Sequence, residues 1–231
     1  MIALASLALA TTAFVGSHLA MSHPLRLRLV QNLGERIFSI VYSATSFVTL
    51  GWMVLAYRSV DDSMPLWIAP DPLWWAASAV MLVACILLVG SVVRNPAFPN
   101  PGADKQPIRP ATGVFAITRH PMNWSFMLWA IVHIMLWGSP RNLIVASGIL
   151  VLAFVGSLGQ DRKKLSIIGE RWGSWMRRTS FVPFAAIAGG RVPLRAAAPG
   201  WIALGGGILL WLLVTWWHAP SVSPAAALLT R

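Results

Sequence analysis

Apolar residues fall along the chain in six long stretches, at 2–21, 37–57, 73–93, 120–140, 142–160 and about 199–218, and none of them contains Lys, Arg, Asp or Glu. Each reaches the about 20 residues that a helix needs to cross a bilayer. No stretch alternates apolar and polar positions with period 2, as a membrane barrel strand would. With no water to satisfy backbone groups in lipid, the pattern predicts membrane-crossing helices. The first stretch has no basic residue before its apolar run, unlike a cleavable signal, so it is expected to remain as a helix.

Composition agrees. Hydrophobic residues make up 57% of the 231 and charged residues 11%, with a mean hydropathy of +0.67; soluble domains carry about 25% charged residues. The expected fold class is an all-α integral membrane protein in one domain over 1–231, with six transmembrane helices and a cytoplasmic interfacial amphipathic helix. The net charge of +11 raises nucleic acid as a partner. Its distribution argues for membrane topology instead, with the lipid bilayer as partner and no nucleic acid. Fifteen of the 18 Lys and Arg lie in the segments after the first, third and fifth spans, leaving Arg58, Arg141 and Arg231 on the other side. The positive-inside rule then puts those three segments in the cytoplasm and both termini on the periplasmic side of a bacterial inner membrane. Trp67, Trp74, Trp75, Trp137, Trp216 and Trp217 gather at the outer ends, where an aromatic belt belongs.

Two cytoplasmic segments have a character of their own. Residues 94–119 carry Pro96, Pro99, Pro101, Pro107 and Pro110, which predicts a rigid irregular loop leading into the fourth span. Residues 161–178 place Leu165, Ile168, Trp172 and Trp175 at helical spacing opposite a basic face, which predicts a helix lying in the membrane surface.

The scarce polar groups are the candidates for chemistry. Cys85 is the one cysteine, which excludes an internal disulfide framework and a Cys-rich zinc site. His18 and His133 fall within spans, where an ionisable group is costly. One reading is a neutral imidazole bonded to a neighbouring helix. The other is a pair of axial ligands holding a haem between two helices. Phe14 and Thr11 share the face of His18, and Phe126, Trp129 and Ala130 precede His133; this lining suits a flat macrocycle and ordinary packing alike. Counted along straight spans, His18 lies ~5 Å from the inner edge and His133 ~8 Å from the outer edge, so helix tilt must bring them together.

A second candidate set lies at the cytoplasmic face: Arg119, His120, Asn123 and Asp161, with His23 nearby. Pro121 suits the first helical position, which leaves Arg119 and His120 at a helix N-terminus where an anionic group is favoured. The alternatives are an Arg119 reaching for lipid phosphate, and an Asp161 paired with its basic neighbours Arg162, Lys163 and Lys164. Glu35 beside Arg36 reads the same way as Asp161. His218 is assigned no role. No Ser-His-Asp arrangement or Gly-rich phosphate loop is present, and the glycines at 205–207 lie in the sixth span, where they allow close helix contact.

The runs GSHLAMSHPLRLRLVQNLGERIFSIVYS at 16–43, FPNPGA at 98–103, GVFAITRHPMNWSFMLWAIVHIMLWG at 113–138 and DRKKLSIIGERWGSWMRRTSFVPFAAI at 161–187 resemble the NnrU family of bacterial membrane proteins. That resemblance implies an association with denitrification, and with it a respiratory nitrogen-oxide enzyme as a partner. The plant 15-cis-ζ-carotene isomerases look like relatives. They imply a haem b held by two histidines that fall on His18 and His133, an RHP histidine on His120, and a hydrophobic polyene substrate. The plant enzymes have a cysteine where this chain has Ala130, so a change of ligand to that cysteine is not open to it. The RHP…(D/E)…VP pattern is also similar to membrane methyltransferases that bind S-adenosylmethionine at the cytoplasmic face; their Glu-Glu pair is Asp161-Arg162 here. Three functions are therefore carried forward: a haem b protein with redox or isomerase-type chemistry, a methyltransferase-like enzyme, and a non-catalytic assembly partner.

Overall fold

The computed structural model describes residues 2–61, 65–93, 95–97, 108 and 110–218. Among them the chain is helical, with no strand beyond an isolated bridge between Ile68 and Trp137. The helices are α1 (Ile2–Ser22), α2 (Arg26–Ser59), α3 (Asp71–Val92), α4 (Val114–Ile117), α5 (Pro121–Leu136), α6 (Pro140–Ile168), α7 (Glu170–Arg178), α8 (Ala185–Ala188) and α9 (Trp201–His218), with a 3-10 turn at Leu194–Ala197. Five of these, α1, α2, α3, α6 and α9, are long and apolar enough to cross a membrane. The chain is a multi-pass membrane protein.

The fourth predicted span comes out shorter than expected. α5 has 16 residues, about 24 Å at 1.5 Å per residue, against a hydrocarbon core of about 30 Å. It stops because Gly138-Ser139-Pro140 follows, and Pro140 starts the next helix. Twelve of the 26 residues of the proline-rich loop, including FPNPGA and Pro99, Pro101 and Pro107, lie outside the described residues.

The chain packs as two compact units. The first comprises Met1–Ala69 and Ala130–Gln160. Its core is Leu7, Ala10 and Phe14 of α1 and Met53 and Ala56 of α2, with Val60 just beyond, covered by Ile144, Val145, Ile149 and Leu152 of α6. α1 turns into α2 at His23-Pro24, where Pro24 cannot continue the helix. α2 begins well before the predicted 37, so Arg26, Arg28 and Arg36 are helical and not in a loop. Gly34, at φ +76°, breaks α2 in two, a conformation that glycine adopts without steric cost. Glu35 pairs with Arg26 across that break at 3.1 Å, not with its neighbour Arg36. Gly148 lets α6 approach α1 closely: a Cβ there would lie 2.4 Å from Thr11 Cγ2.

The end of α5 is closed by the same unit. Leu66 N donates to Gly138 O at 2.7 Å and Trp67 Nε1 to Met135 O at 2.9 Å. Asn142 Nδ2 reaches the carbonyls of His133 and Trp137, both at 2.8 Å. Carbonyls that a helix end leaves without partners are thereby satisfied by protein.

The second unit comprises Pro70–Trp129 and Asp161–Arg231. α3 and α9 pack closely where Gly206 meets the Val89 side chain and Gly207 meets the Ile86 backbone, which bears out the close contact expected of the glycine run. The 161–178 segment is not one surface helix. α6 runs on to Ile168, Gly169 breaks the chain at φ +64°, and α7 follows. The face of α7 expected in lipid is inside the protein: Trp172 is 0% exposed and Trp175 2%. Both pack with Leu87, Val114, Phe115 and Ala203. α7 is amphipathic, but its apolar side is spent on the protein core, with Glu170, Arg177 and Arg178 outside.

Candidate functional site

Two constellations bring together residues singled out by sequence. The first lies in the second unit, where the chain on either side of Arg119 is stitched to residues 180–184. Arg119 N donates to Ser180 O at 2.9 Å and Phe184 N to Ile117 O at 2.8 Å. Thr118 Oγ1 donates to Phe181 O at 2.7 Å, and Trp124 Nε1 donates to the same carbonyl at 2.8 Å. Extended backbone at Thr118, then Pro121 opening α5, leaves Arg119 and His120 as consecutive residues at a helix start.

Both reach Asp161. Arg119 Nε and Nη2 each lie 2.7 Å from Asp161 Oδ2. His120 Nε2 lies 3.1 Å from Oδ1, and Trp172 Nε1 donates to Oδ1 at 3.3 Å. Asp161 is 5% exposed and His120 2%, and the His120 ring packs against Phe181 at 5.8 Å. A buried carboxylate is tolerable only with a counter-charge and hydrogen bonds, and here Arg119 and Trp172 donate to it while His120 Nε2 lies close to Oδ1. Asp161 is therefore not paired with Arg162, Lys163 and Lys164 as an interface charge, and Arg119 is turned inward and not toward lipid phosphate. The arrangement acts as an internal tie between the start of α5, the polar end of α6 and α7. A carboxylate so occupied has little capacity left for a cofactor, which weighs against the methyltransferase-like reading. Asn123 is half-buried on the first turn of α5. His23 belongs to the other unit, where the tip of its ring lies against Gly159.

The second constellation is around His18 in the first unit. His18 Nδ1 lies 2.9 Å from the carbonyl oxygen of Phe14, one turn back on α1. A carbonyl can only accept, so Nδ1 carries a proton, and in the neutral imidazole Nε2 is then the nitrogen with the lone pair. The rings of Phe14 and Tyr42 flank the imidazole at 4.3 and 5.5 Å. Metal-bound histidines have this same arrangement, one nitrogen donating to a carbonyl and the other left for the metal. His133 is half-buried near the end of α5, with Ala130 fully buried one turn before it, Trp129 half-buried and Phe126 exposed. No group of three or more His, Cys, Asp or Glu gathers among the described residues. A metal here would need a group that supplies most of its own ligands, with His18 Nε2 as one protein donor toward it.

Sequence reasoning missed Trp172 as a partner of Asp161, since the 10 residues between them include the break at Gly169. It also missed Tyr42, which lies near His18 only because α1 and α2 pack as a hairpin.

Comparison with known proteins adds the family. The model described as NnrU protein matches residues 6–224. The chain is 35% identical over 83 residues to the chloroplastic 15-cis-zeta-carotene isomerase of Zea mays, covering 36% of this chain and 23% of that protein. It is 34% identical over 80 residues to the Arabidopsis thaliana isomerase of the same name, covering 35% and 22%. The matched region thus spans less than a quarter of those relatives' length. No solved structure matches significantly.

Proposed function

Because this chain belongs to the NnrU family, we propose that it is a haem b-binding protein of the bacterial inner membrane, with isomerase-type or redox chemistry on a hydrophobic, polyene-like substrate. The observation that carries this reading is the His18 Nδ1 contact with Phe14 O at 2.9 Å, which fixes the tautomer suited to coordination through Nε2. His18 and His133 would hold the iron. When bound, haem b with two imidazole ligands supplies an iron that takes up and releases one electron. The chain's own part is to hold the His18 ring from α1, to present His133 from α5, and to keep water away with apolar helices. The partial similarity to the plant isomerases supports the substrate class. The exposed apolar side chains of α2, such as Ile40, Phe47, Val48 and Leu55, are consistent with lateral entry from lipid.

The same reading has six crossings and both termini periplasmic. α5 would complete the fourth crossing with Trp137–Ser139, since non-helical backbone is tolerated at membrane depth when protein satisfies it. The bonds from Leu66, Trp67 and Asn142 support this. The distribution of Lys and Arg supports the orientation.

The test is a visible spectrum of the detergent-purified protein, oxidised and reduced, with a pyridine haemochrome assay. About one haem per chain with sharp reduced α and β bands is expected, and His18→Ala and His133→Ala should each abolish or strongly alter them. A colourless protein from haem-replete cells would overturn the proposal. Wild-type spectra in either variant would remove that residue as a ligand.

A further inference from the structure

An imidazole on a helix can swing about its Cβ–Cγ bond, and a hydrogen bond to the preceding turn is by itself a weak restraint. His18 has a second one. Tyr42 of α2 presents its ring to the imidazole in a T-shaped contact with centroids 5.5 Å apart. Its hydroxyl accepts a hydrogen bond from Ser22 Oγ at 3.1 Å. Ser22 is the last residue of α1 and lies four positions after His18, so the two occupy one helix face on successive turns. Tyr42 therefore touches α1 at both turns, with its ring at His18 and its hydroxyl at Ser22.

Tyr42 is itself held. Phe38, one turn earlier on α2 and 4% exposed, packs against it at 6.0 Å. The guanidinium of Arg26 lies over the Phe38 ring, 4.9 Å from its centroid. Arg26 in turn pairs with Glu35. The chain of contacts Glu35–Arg26–Phe38–Tyr42 braces one side of the imidazole, and the Phe14 carbonyl fixes Nδ1.

We propose that Tyr42, anchored by Ser22, is a positioning residue that holds the His18 imidazole in the orientation that leaves Nε2 for coordination. This rests on the reading of His18 as a haem ligand, and it assigns the restraint to the Tyr42 ring, with the hydroxyl serving to lock that ring to α1. Outer partners of a ligating histidine typically contribute about 10–100-fold to metal affinity. Removing the ring should act at the low end of that range, because the Phe14 carbonyl remains.

The experiment compares wild type with Tyr42→Phe, Tyr42→Leu and Ser22→Ala, each checked for monodispersity and helix content. Haem titration into apoprotein should show about tenfold weaker binding for Tyr42→Leu, with changed low-spin g-values. Tyr42→Phe and Ser22→Ala, which remove the same hydrogen bond and leave the ring in place, should both stay within about twofold. Equal affinity and equal g-values in Tyr42→Leu would overturn the proposal. Nitrogen-15 spectra of histidine-labelled apoprotein read the same restraint without haem. A single Nδ1–H tautomer of His18 is expected in wild type and Tyr42→Phe, and an exchange-averaged signal in Tyr42→Leu. Should the wild type take up no haem, the coordination reading falls, and these spectra still decide whether Tyr42 orients the ring; an unchanged His18 signal in Tyr42→Leu refutes it.

Discussion

Asp161→Asn is the perturbation whose size follows most directly from the geometry. Asp161 is 5% exposed and the Arg119 side chain 12%, so water screens little of their interaction. The substitution removes the negative charge while leaving Arg119 buried, and it turns an amide NH2 toward donors on one side or the other. Breaking a buried pair by removing one partner costs about 3–5 kcal/mol. Asparagine keeps one acceptor oxygen, which puts the expected loss at the low end, about 3 kcal/mol, or roughly a hundredfold in the folded-to-unfolded ratio. The assay is equilibrium unfolding in mixed micelles by increasing SDS fraction. Arg119→Met and the double variant should accompany it, because residues sharing a buried network couple by about 0.5–3 kcal/mol. The double variant should be less destabilised than the sum of the singles, since neither charge is then left alone. A loss below about 0.5 kcal/mol for Asp161→Asn, the size of an ordinary surface change, or strict additivity, would refute the internal tie. The cluster would then be free to serve a ligand. Micromolar S-adenosylmethionine binding by the wild type, abolished in Asp161→Asn, would make that ligand a cofactor.

Two further predictions use glycine pairs as internal controls. Gly148→Ala should destabilise by about 1–3 kcal/mol, because its Cβ would lie 2.4 Å from Thr11 Cγ2, whereas Gly156→Ala on the same helix meets nothing within 4 Å and should be neutral or stabilising. The same micelle unfolding assay reads both, and equal effects would refute the close approach of α1 and α6. Gly207→Ala should cost more than Gly205→Ala, since a Cβ at 207 would lie 2.6 Å from the Ile86 Cα and one at 205 meets nothing within 4 Å. A cysteine cross-link between α3 and α9 that forms equally well in both variants would contradict that ordering.

What the sequence makes legible is what periodicity and charge encode. Long charge-free stretches predict helices, and five of the six come out at spanning length. The fourth falls short because nothing in an apolar run tells whether Gly138-Ser139-Pro140 continues a helix or is closed off by Leu66, Trp67 and Asn142 from elsewhere in the chain. The Trp172 and Trp175 stripe was legible as an apolar face. Which apolar medium it meets was not, because lipid and protein core select the same residue types. Two turns of α7 bury their indoles against Val114 and Phe115 only because Gly169 redirects the chain at φ +64°. A positive φ at one glycine among 18 carries no local mark.

Asp161 presents the same ambiguity in polar form. Its nearest neighbours in sequence are Arg162, Lys163 and Lys164, and a solvated acid among bases needs no other partner. Its actual partners, Arg119 and His120, lie more than 40 residues away and meet it because α6 continues past its apolar stretch, so that Asp161 sits on a rigid helix. On that helix the carboxylate faces inward, its basic neighbours have other faces, and burial makes a distant arginine a stronger requirement than three adjacent cations in water. The rule that emerges is local to helix ends. A single acid in a basic run points to a buried arginine elsewhere whenever the preceding apolar helix can extend through it unbroken, as the run from Pro140 to Ile168 does here.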